Sequence, residues 1–287
     1  MVMGSLKRAA ARAVSALFVF TAFVLFAGPA GADYPRPWQL GMQVPASEVK
    51  DRINSLHDML LVIITLITLF VLALLVYVMV RFRASAHPTP TRTTHNTMIE
   101  ILWTVLPVVI LVVIAIPSFK LLYFEDRAPN AKMTLKVTAH QWYWSYAYPD
   151  NGNVAFDSYM IQDADLKPGQ MRLLSVDNPL VLPVQTDVRI LVNGTDVMHS
   201  FFITSLGVQI YAVPGRVNET WVNIDRPGTY YGECNQICGD NHAYMPIEIQ
   251  ALSKQDFDKW LDTAKKKFAA APSSDAVRIA AAQSESR

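Results

Sequence analysis

The chain has 287 residues, and its 25 Lys and Arg nearly balance its 24 Asp and Glu, so the formal net charge is +1 at pH 7. Without a basic surplus, nothing in the composition favours a nucleic-acid partner, and we expect none. Hydrophobic residues make up 52% of the chain, more than in a typical soluble domain. The surplus lies in a few segments, which predicts membrane-spanning elements.

Residues 1–32 predict a secretory signal peptide. Three basic residues precede an apolar core, Val14–Phe26, and the small residues at 30–32 form a typical cleavage site. A first transmembrane helix is the alternative, but it needs roughly 20 apolar residues, and this run is shorter. Residues 33–55 are polar and contain several prolines, so we expect an extended arm on the exported side.

Residues 56–124 predict a transmembrane helical hairpin. Its two spans, 59–80 and 101–119, carry no charged residue and are long enough to cross the ~30 Å hydrocarbon core as helices. The loop between them, 81–100, contains three arginines and a single acid, Glu100, so the positive-inside rule places the loop in the cytoplasm. Both flanks then lie on the outer side, in agreement with a signal peptide. Charge-free runs of this length argue against the alternative of a soluble helical hairpin.

Beyond the hairpin the pattern changes to a period of two residues, which is the period of a β-strand. Trp142, Trp144, Tyr146 and Tyr148 alternate on one side of a predicted strand. Six further β-rich runs, separated by Gly and Pro, predict an antiparallel β-sandwich over residues 128–252. These runs are Met171–Val176, Val188–Val192, Val208–Val213, Thr220–Ile224, Thr229–Gly232 and Ile247–Leu252.

A C-terminal helix is predicted over residues 253–268. Ser253 and Asp256 form a pair that resembles a capping box at its start. Apolar residues then follow at spacings of three and four, so one face of the helix is expected to pack: Phe257, Trp260, Leu261, Ala264 and Phe268. Residues 269–287 are rich in Ala and Ser, and we expect them to be disordered.

The chemistry of the chain is concentrated in a segment that reads CNQICGDNHAYMP. It holds both cysteines of the chain, Cys234 and Cys238, followed by His242 and Met245. Two thiolates, an imidazole and a thioether form a soft ligand set, which favours copper and, to a lesser extent, zinc. Further upstream, His199 is the best candidate for one more donor. A disulfide is the alternative, but a short loop gains little from a bridge, which would also leave His242 and Met245 unexplained.

The segment resembles the binuclear copper (Cu-A) motif in subunit II of haem–copper cytochrome c oxidases. The shared pattern is C-x-x-x-C-G-x-x-H-x-x-M-P, with D-V-x-H-S at residues 196–200 and H-Q-W-Y-W at residues 140–144. The likeness covers nearly the whole chain. It implies an N-terminal two-helix transmembrane hairpin followed by an all-β cupredoxin-like sandwich or barrel domain with a C-terminal helix.

The resemblance implies two copper ions with a defined ligand set. Cys234 and Cys238 would be bridging thiolates, and His199 and His242 terminal imidazoles. Met245 would be a weak ligand, together with the backbone carbonyl of the residue between the cysteines, Gln236. The family usually has glutamate there, and its side chain reaches a magnesium ion shared with subunit I. An amide oxygen is a weaker ligand for a hard cation, which puts the magnesium link in question.

The resemblance also implies roles in electron and proton transfer. Trp142 would lie over the copper site and take the electron from cytochrome c, and Glu100 would stand at the start of a proton path into subunit I. Acidic residues would steer the basic partner, and three of them match family acids: Asp157, Asp177 and Asp196. Two other family glutamates are Ala147 and Gln170 here, so the docking patch is thinner than expected.

The implied protein is the subunit of cytochrome c oxidase that accepts electrons, not the one that reduces oxygen. Its partners would be cytochrome c, haem-bearing subunit I, subunit III and the lipid of a bacterial inner membrane, with the copper domain on the periplasmic side. One alternative is a quinol-oxidase subunit of the same fold, which lacks the copper ligands found here. The other is an exported, membrane-anchored β domain with a structural disulfide.

Overall fold

The computed structural model describes residues 34–89, 91–126, 128 and 131–268. The predicted signal peptide and the predicted disordered tail lie outside the described residues. Within them, the predicted architecture is confirmed: two long apolar helices are followed by a β-sandwich and a C-terminal helix.

The two long helices are α1 (Glu48–Arg81) and α2 (Thr97–Glu125). At ~1.5 Å per residue both exceed the ~30 Å of a bilayer core. Both are apolar enough to cross a membrane, and none of the most apolar window of either helix is buried within the molecule. Such a surface is stable against lipid, so these are the two membrane-spanning helices that the sequence predicts.

Helix α1 begins earlier than expected. Residues 48–55 are helical, whereas the sequence predicts an extended arm over 33–55. The hydroxyl of Ser47 caps the helix by accepting from the backbone N–H of Lys50 at 3.1 Å. Glu48 and Asp51 then place negative charge in the first turn, where the helix dipole favours it.

The β domain, residues 131–268, contains ten strands in two five-stranded sheets, ordered β3-β2-β1-β5-β8 and β4-β10-β9-β6-β7. The strands are β1 (Met133–His140), β2 (Tyr143–Tyr148), β3 (Val154–Ser158), β4 (Leu180–Pro183), β5 (Val188–Gly194), β6 (His199–Ile203), β7 (Val208–Ala212), β8 (Asn218–Val222), β9 (Gly228–Cys234) and β10 (Pro246–Leu252).

Two strand pairs depart from the expected antiparallel pattern, because β1 pairs with β5 and β4 with β10 in parallel. After β3 the chain crosses to β4 in the opposite sheet and then returns to β5 beside β1. Such a crossover, unlike a hairpin, can bring the returning strand back in the same direction. The sequence pattern predicts which residues are extended, but it does not predict which distant strands pair or in which direction.

One predicted strand is wrong. Residues 171–176 form a turn, in which the backbone N–H of Ser175 donates to the carbonyl of Met171 at 3.0 Å. The Ser175 hydroxyl also accepts from the N–H of Met171 at 2.9 Å. The backbone N–H and carbonyl of Met171 are therefore bonded locally and are not free to pair with a neighbouring strand. Within residues 171–176, only Val176 forms an isolated β-bridge, with Met160.

The core lies between the sheets and under a C-terminal helix, α3 (Lys254–Phe268). Trp144, Tyr146 and Tyr148 are fully buried, as their alternation in β2 predicts. In α3 the buried residues are Phe257, Leu261 and Ala264, and Trp260 and Phe268 pack partly against the core. The Ser253 hydroxyl contacts the Asp256 carboxylate at 2.7 Å and accepts from the Asp256 N–H, so the predicted cap is present.

Side-chain contacts join the helices to the β domain. The Ser47 hydroxyl donates to the carbonyl of Leu206 at 2.7 Å. The indole of Trp221 donates to the carbonyl of Phe124 at 3.2 Å. Between the two helices, the guanidinium of Arg52 lies 3.7 Å from the centre of the Phe124 ring. The two hydrogen bonds attach the base of the β-sandwich to the N-terminal end of α1 and the C-terminal end of α2.

Candidate metal centre

Two neighbouring strands and the loop after one of them bring the predicted ligands together. His199 is the first residue of β6, and Cys234 is the last residue of β9, which pairs with β6 through Phe201. The loop from 235 to 245 connects β9 to β10 and carries the remaining predicted ligands. The site therefore forms at one end of the sandwich, where a strand end and a loop meet.

The donor atoms of these residues lie close to one another. The two cysteine sulfurs, in Cys234 and Cys238, are 3.9 Å apart. Nδ1 of His199 is 3.9 Å from the sulfur of Cys234, and Nδ1 of His242 is 3.5 Å from the sulfur of Cys238. The Met245 sulfur is 3.7 Å from that of Cys238. The backbone carbonyl of Gln236 is 3.3 Å from the sulfur of Cys234.

Both cysteines are free thiols in the structure, because their sulfurs are much farther apart than the ~2.05 Å of a disulfide. The ligand atoms of His199, Cys234 and Cys238 all lie within 4.8 Å of one another and all three residues are buried. Thiols, imidazoles and a thioether around one point form a donor set that soft or borderline metals prefer. The residues present therefore fit a copper centre.

Asp196 orients the first histidine. Its carboxylate oxygen Oδ1 lies 2.9 Å from Nε2 of His199 and accepts the backbone N–H of Val197 at 2.7 Å. The other oxygen, Oδ2, accepts the N–H of Gln141 at 2.6 Å. A carboxylate at Nε2 retains the ring proton there, so Nδ1 is left as the lone-pair donor that faces Cys234.

The protonation of the two thiols is unequal. Burial opposes the charged form of Cys234, but His199 and the backbone N–H of Ser200 lower its pKa to about 7. Burial, together with the charge of Cys234, raises the pKa of Cys238 to about 12. Burial works against the charge of Asp196 as well, yet His199 and the N–H of Val197 hold the pKa of that carboxyl below its usual range. One thiolate forms readily, and the second needs a compensating cation.

Comparison with known proteins gives the family of this chain. Residues 133–252 match the model of the periplasmic domain of cytochrome c oxidase subunit II, and residues 35–121 match the model of its transmembrane domain. A probable cytochrome c oxidase subunit 2 of Rickettsia bellii is 51% identical over 247 residues, covering 86% of this chain and 91% of the relative. The chain belongs to the cytochrome c oxidase subunit II family.

Other relatives of this chain come from plants and from bacteria. The cytochrome c oxidase subunit 2 of Oenothera berteroana is 47% identical over 243 residues, covering 83% of this chain and 94% of the relative. A crystal structure of the periplasmic domain of subunit II of cytochrome oxidase from Bradyrhizobium japonicum has 50% identity and a TM-score of 0.47, and it covers 50% of this chain and 99% of its own. The family implies copper, which agrees with the donor set.

Trp142 lies in the turn between β1 and β2, directly against the ligand loop. Its indole N–H donates to the carbonyl of Cys238 at 3.2 Å, and the Gln141 amide donates to the same carbonyl at 2.8 Å. Gly239 has a φ of +119°, and a Cβ there would stand 2.9 Å from the Trp142 ring. The indole is half-buried, so it is in contact with both the ligand loop and the solvent.

The three predicted docking acids all make structural hydrogen bonds. Asp157 accepts from the hydroxyl of Ser145 at 2.5 Å, and Asp177 accepts from the backbone N–H of Tyr159 at 2.8 Å. Asp196 supports His199, as described above. The sequence indicates only that these acids are charged, because the hydrogen bonds they accept depend on three-dimensional placement.

Three further supporting residues were missed by the sequence reasoning: Gln141, Gly239 and Trp144. The indole N–H of Trp144 donates to the carbonyl of Met245 at 3.0 Å, so this core ring also holds a predicted ligand. The glycine directly after Cys238 was a usable signal, since a glycine beside a ligand often marks close backbone approach.

Glu100 lies in the first turn of α2, far along the chain from the metal ligands. The Asn96 side chain caps this turn by accepting from the N–H groups of Met98 and Ile99. The carboxylate is half-buried, and negative charge is favourable at a helix start.

Proposed function

We propose that this chain receives single electrons from cytochrome c at a binuclear Cu-A centre and passes them to the haem groups of subunit I, where oxygen is reduced to water with proton pumping. The observation that carries the proposal is the convergence of six donor atoms, which come from His199, Cys234, Gln236, Cys238, His242 and Met245. Membership of the family supports it.

Each donor has an assigned part. Cys234 and Cys238 would hold the copper ions as shared thiolates, and His199 and His242 would each supply an imidazole nitrogen. Met245 and the backbone carbonyl of Gln236 would be the weaker ligands. When bound, the two copper ions would supply a one-electron carrier that rearranges little as its charge changes.

The rest of the site serves to hold these donors still. Cys234 and Cys238 are 3% and 4% exposed, and Met245 is 1% exposed, so water has little access to the sulfurs. Asp196 fixes the ring of His199, and Trp144 fixes the backbone at Met245. Ligands that are fixed before an electron arrives need little reorganisation when it does.

Trp142 is the proposed point where the electron enters. Its indole combines solvent exposure with a hydrogen bond to the backbone of a thiolate ligand, Cys238. An exposed indole is also a frequent anchor in protein interfaces. Asp157, Asp177 and Asp196 are the proposed acids that steer cytochrome c, because carboxylates near a docking site raise the association rate of a basic partner.

The remaining assignments follow the family. Glu100 is proposed to stand at the start of a proton path, and subunits I and III are the proposed neighbours. The β domain is proposed to lie on the periplasmic side of a bacterial inner membrane. A magnesium ion shared with subunit I would meet the neutral amide of Gln236, which is a weaker ligand than the usual carboxylate.

Metal analysis of the β domain, residues 131–268, after reconstitution with copper tests the proposal. We expect two copper ions per chain and a visible–near-infrared spectrum that Cys234→Ser abolishes, because a hydroxyl does not replace a bridging thiolate. Gln236→Ala is the matched control, since the backbone carbonyl persists and copper content should be unchanged. One copper per chain, zinc alone, or a disulfide in place of metal would overturn the binuclear centre.

A further inference from the structure

A groove follows one face of α1 near the end that the proposed orientation places in the cytoplasm. It is lined by α1 from Leu69 to Arg81 and by Arg83 and Ala86 of the loop that follows, and its volume is about 750 Å³. We call it the arginine groove. Its size is within the ~300–1,000 Å³ range of small-molecule sites, and it is separate from the metal centre.

The floor of the arginine groove is a helical stripe of apolar side chains. Leu69, Leu72, Val76 and Val80 recur at spacings of three and four and so lie on one face of α1. Ala73, within this stripe, is small and leaves room above the helix. The eleven steps from Leu69 to Val80, at ~1.5 Å each, extend ~16 Å, about half of the ~30 Å hydrocarbon core, so the floor is as long as one leaflet is thick.

The mouth of the groove is basic. Arg81 and Arg83 both line it, and no Asp or Glu occurs in the sequence between residues 81 and 99. His87 contacts Arg81 and stacks on the ring of Phe82 with centroids 5.1 Å apart. Within the described part of the chain, neither arginine forms a salt bridge with a carboxylate. The guanidinium groups are thus available to an external anion.

We propose that the arginine groove binds one anionic phospholipid of the cytoplasmic leaflet. The headgroup phosphate lies against Arg81 and Arg83, and an acyl chain lies along the stripe from Leu69 to Val80. Guanidinium groups suit phosphate because they donate paired hydrogen bonds, and basic pockets at the cytoplasmic ends of transmembrane helices select anionic headgroups. The inference uses the proposed orientation of the helices but does not depend on copper or on cytochrome c.

The test measures lipid binding to the intact, delipidated oxidase complex by native mass spectrometry. We expect one phosphatidylglycerol to bind the parent at the groove and phosphatidylcholine to bind far more weakly. Each arginine near a membrane surface contributes ~1 kcal/mol toward an anionic lipid, so Arg81→Gln with Arg83→Gln should weaken phosphatidylglycerol binding roughly 30-fold. Arg92→Gln is the matched control, because it removes a loop arginine that does not line the groove, and binding should be unchanged.

A second variant tests the apolar floor. Ala73→Phe fills the space above α1 and should displace the acyl chain without changing any charge. Equal binding of the two lipids, or unaltered phosphatidylglycerol binding in the double arginine variant, would overturn the proposal. Crosslinking of residue 73 to a neighbouring subunit instead of to a photoreactive lipid would also overturn it, because a protein helix would then occupy the groove. Copper content is measured in parallel. Loss of copper would contradict the proposed metal centre, whereas loss of lipid binding with copper retained would concern the arginine groove alone.

Discussion

Trp142 is the residue at which docking and electron transfer can be separated. If its indole is the transfer contact, Trp142→Gln should slow electron uptake strongly while copper content and spectrum remain intact, because no proposed ligand is removed. Stopped-flow reduction by saturating cytochrome c measures this rate. Transfer at the parent rate would contradict the assignment and leave Trp142 as a packing residue.

Asp177→Asn provides the matched comparison. The amide oxygen can still accept from the backbone N–H of Tyr159, so the loop is retained and only the charge is lost. We expect weaker association with cytochrome c and a smaller dependence on salt, with little change once the partner is bound. A lower rate at saturation would show instead that this variant disturbs the transfer contact.

Gly239 limits what the ligand loop can tolerate. Gly239→Ala combines an unfavourable φ of +119° with a Cβ 2.9 Å from the Trp142 ring. Strain and overpacking together should lower the free energy of unfolding by about 2–4 kcal/mol and alter the copper spectrum. Gly215→Ala is the control, because its φ of +75° is also unfavourable but nothing lies within 4 Å. Urea unfolding and copper spectra are measured for both variants. An unchanged spectrum in Gly239→Ala would contradict the close approach of Gly239 to the Trp142 ring.

At the scale of elements, α3 covers one side of the sandwich through a small set of buried side chains. Leu261 is 7% exposed within the core cluster, so Leu261→Ala should lower the free energy of unfolding of the β domain by about 2–4 kcal/mol. Asp262→Ala changes the neighbouring exposed position and should remain within about 0.5 kcal/mol of the parent. Urea titration measures both. Equal effects would show that α3 is not packed as described.

The elements that the sequence predicts well are those specified by local pattern. The two spans follow from charge-free runs, and the ligands on the loop from Cys234 to Met245 lie within one short segment. The parallel pairing of β1 with β5 could not be predicted, since it depends on a crossover between sheets. The role of Asp196 as the partner of His199 also depends on three-dimensional placement, although the two lie three residues apart.

Residues 171–176 illustrate the opposite case, in which a local pattern misleads. Their β-rich composition predicts a strand, but the Ser175 hydroxyl satisfies the backbone N–H of Met171 and closes a turn. The start of α1 was not predicted for a related reason. Residues 33–55 are polar overall, which favours an extended arm, but a single hydrogen bond to the Ser47 hydroxyl is enough to cap a helix there.

Across the whole molecule, the metal centre and the arginine groove lie at opposite ends. The helices meet the base of the sandwich near Ser47 and Phe124, whereas the loop with Arg83 joins their other ends. Since both helices are long enough to cross a bilayer, the β domain and this loop belong on opposite sides of it. The three arginines in the loop support the proposed orientation, in which the loop faces the cytoplasm.

This orientation predicts the accessibility of Ser85, which is exposed in the loop between α1 and α2. In intact cells, a cysteine introduced by Ser85→Cys should resist a membrane-impermeant thiol reagent and react only after the cells are permeabilised. Asp262→Cys, on the exposed face of α3, should react in intact cells, and the parent chain gives the background from its own buried thiols. Ready labelling at position 85 in intact cells would reverse the orientation, and the proposed periplasmic metal centre and cytoplasmic lipid site would both be refuted.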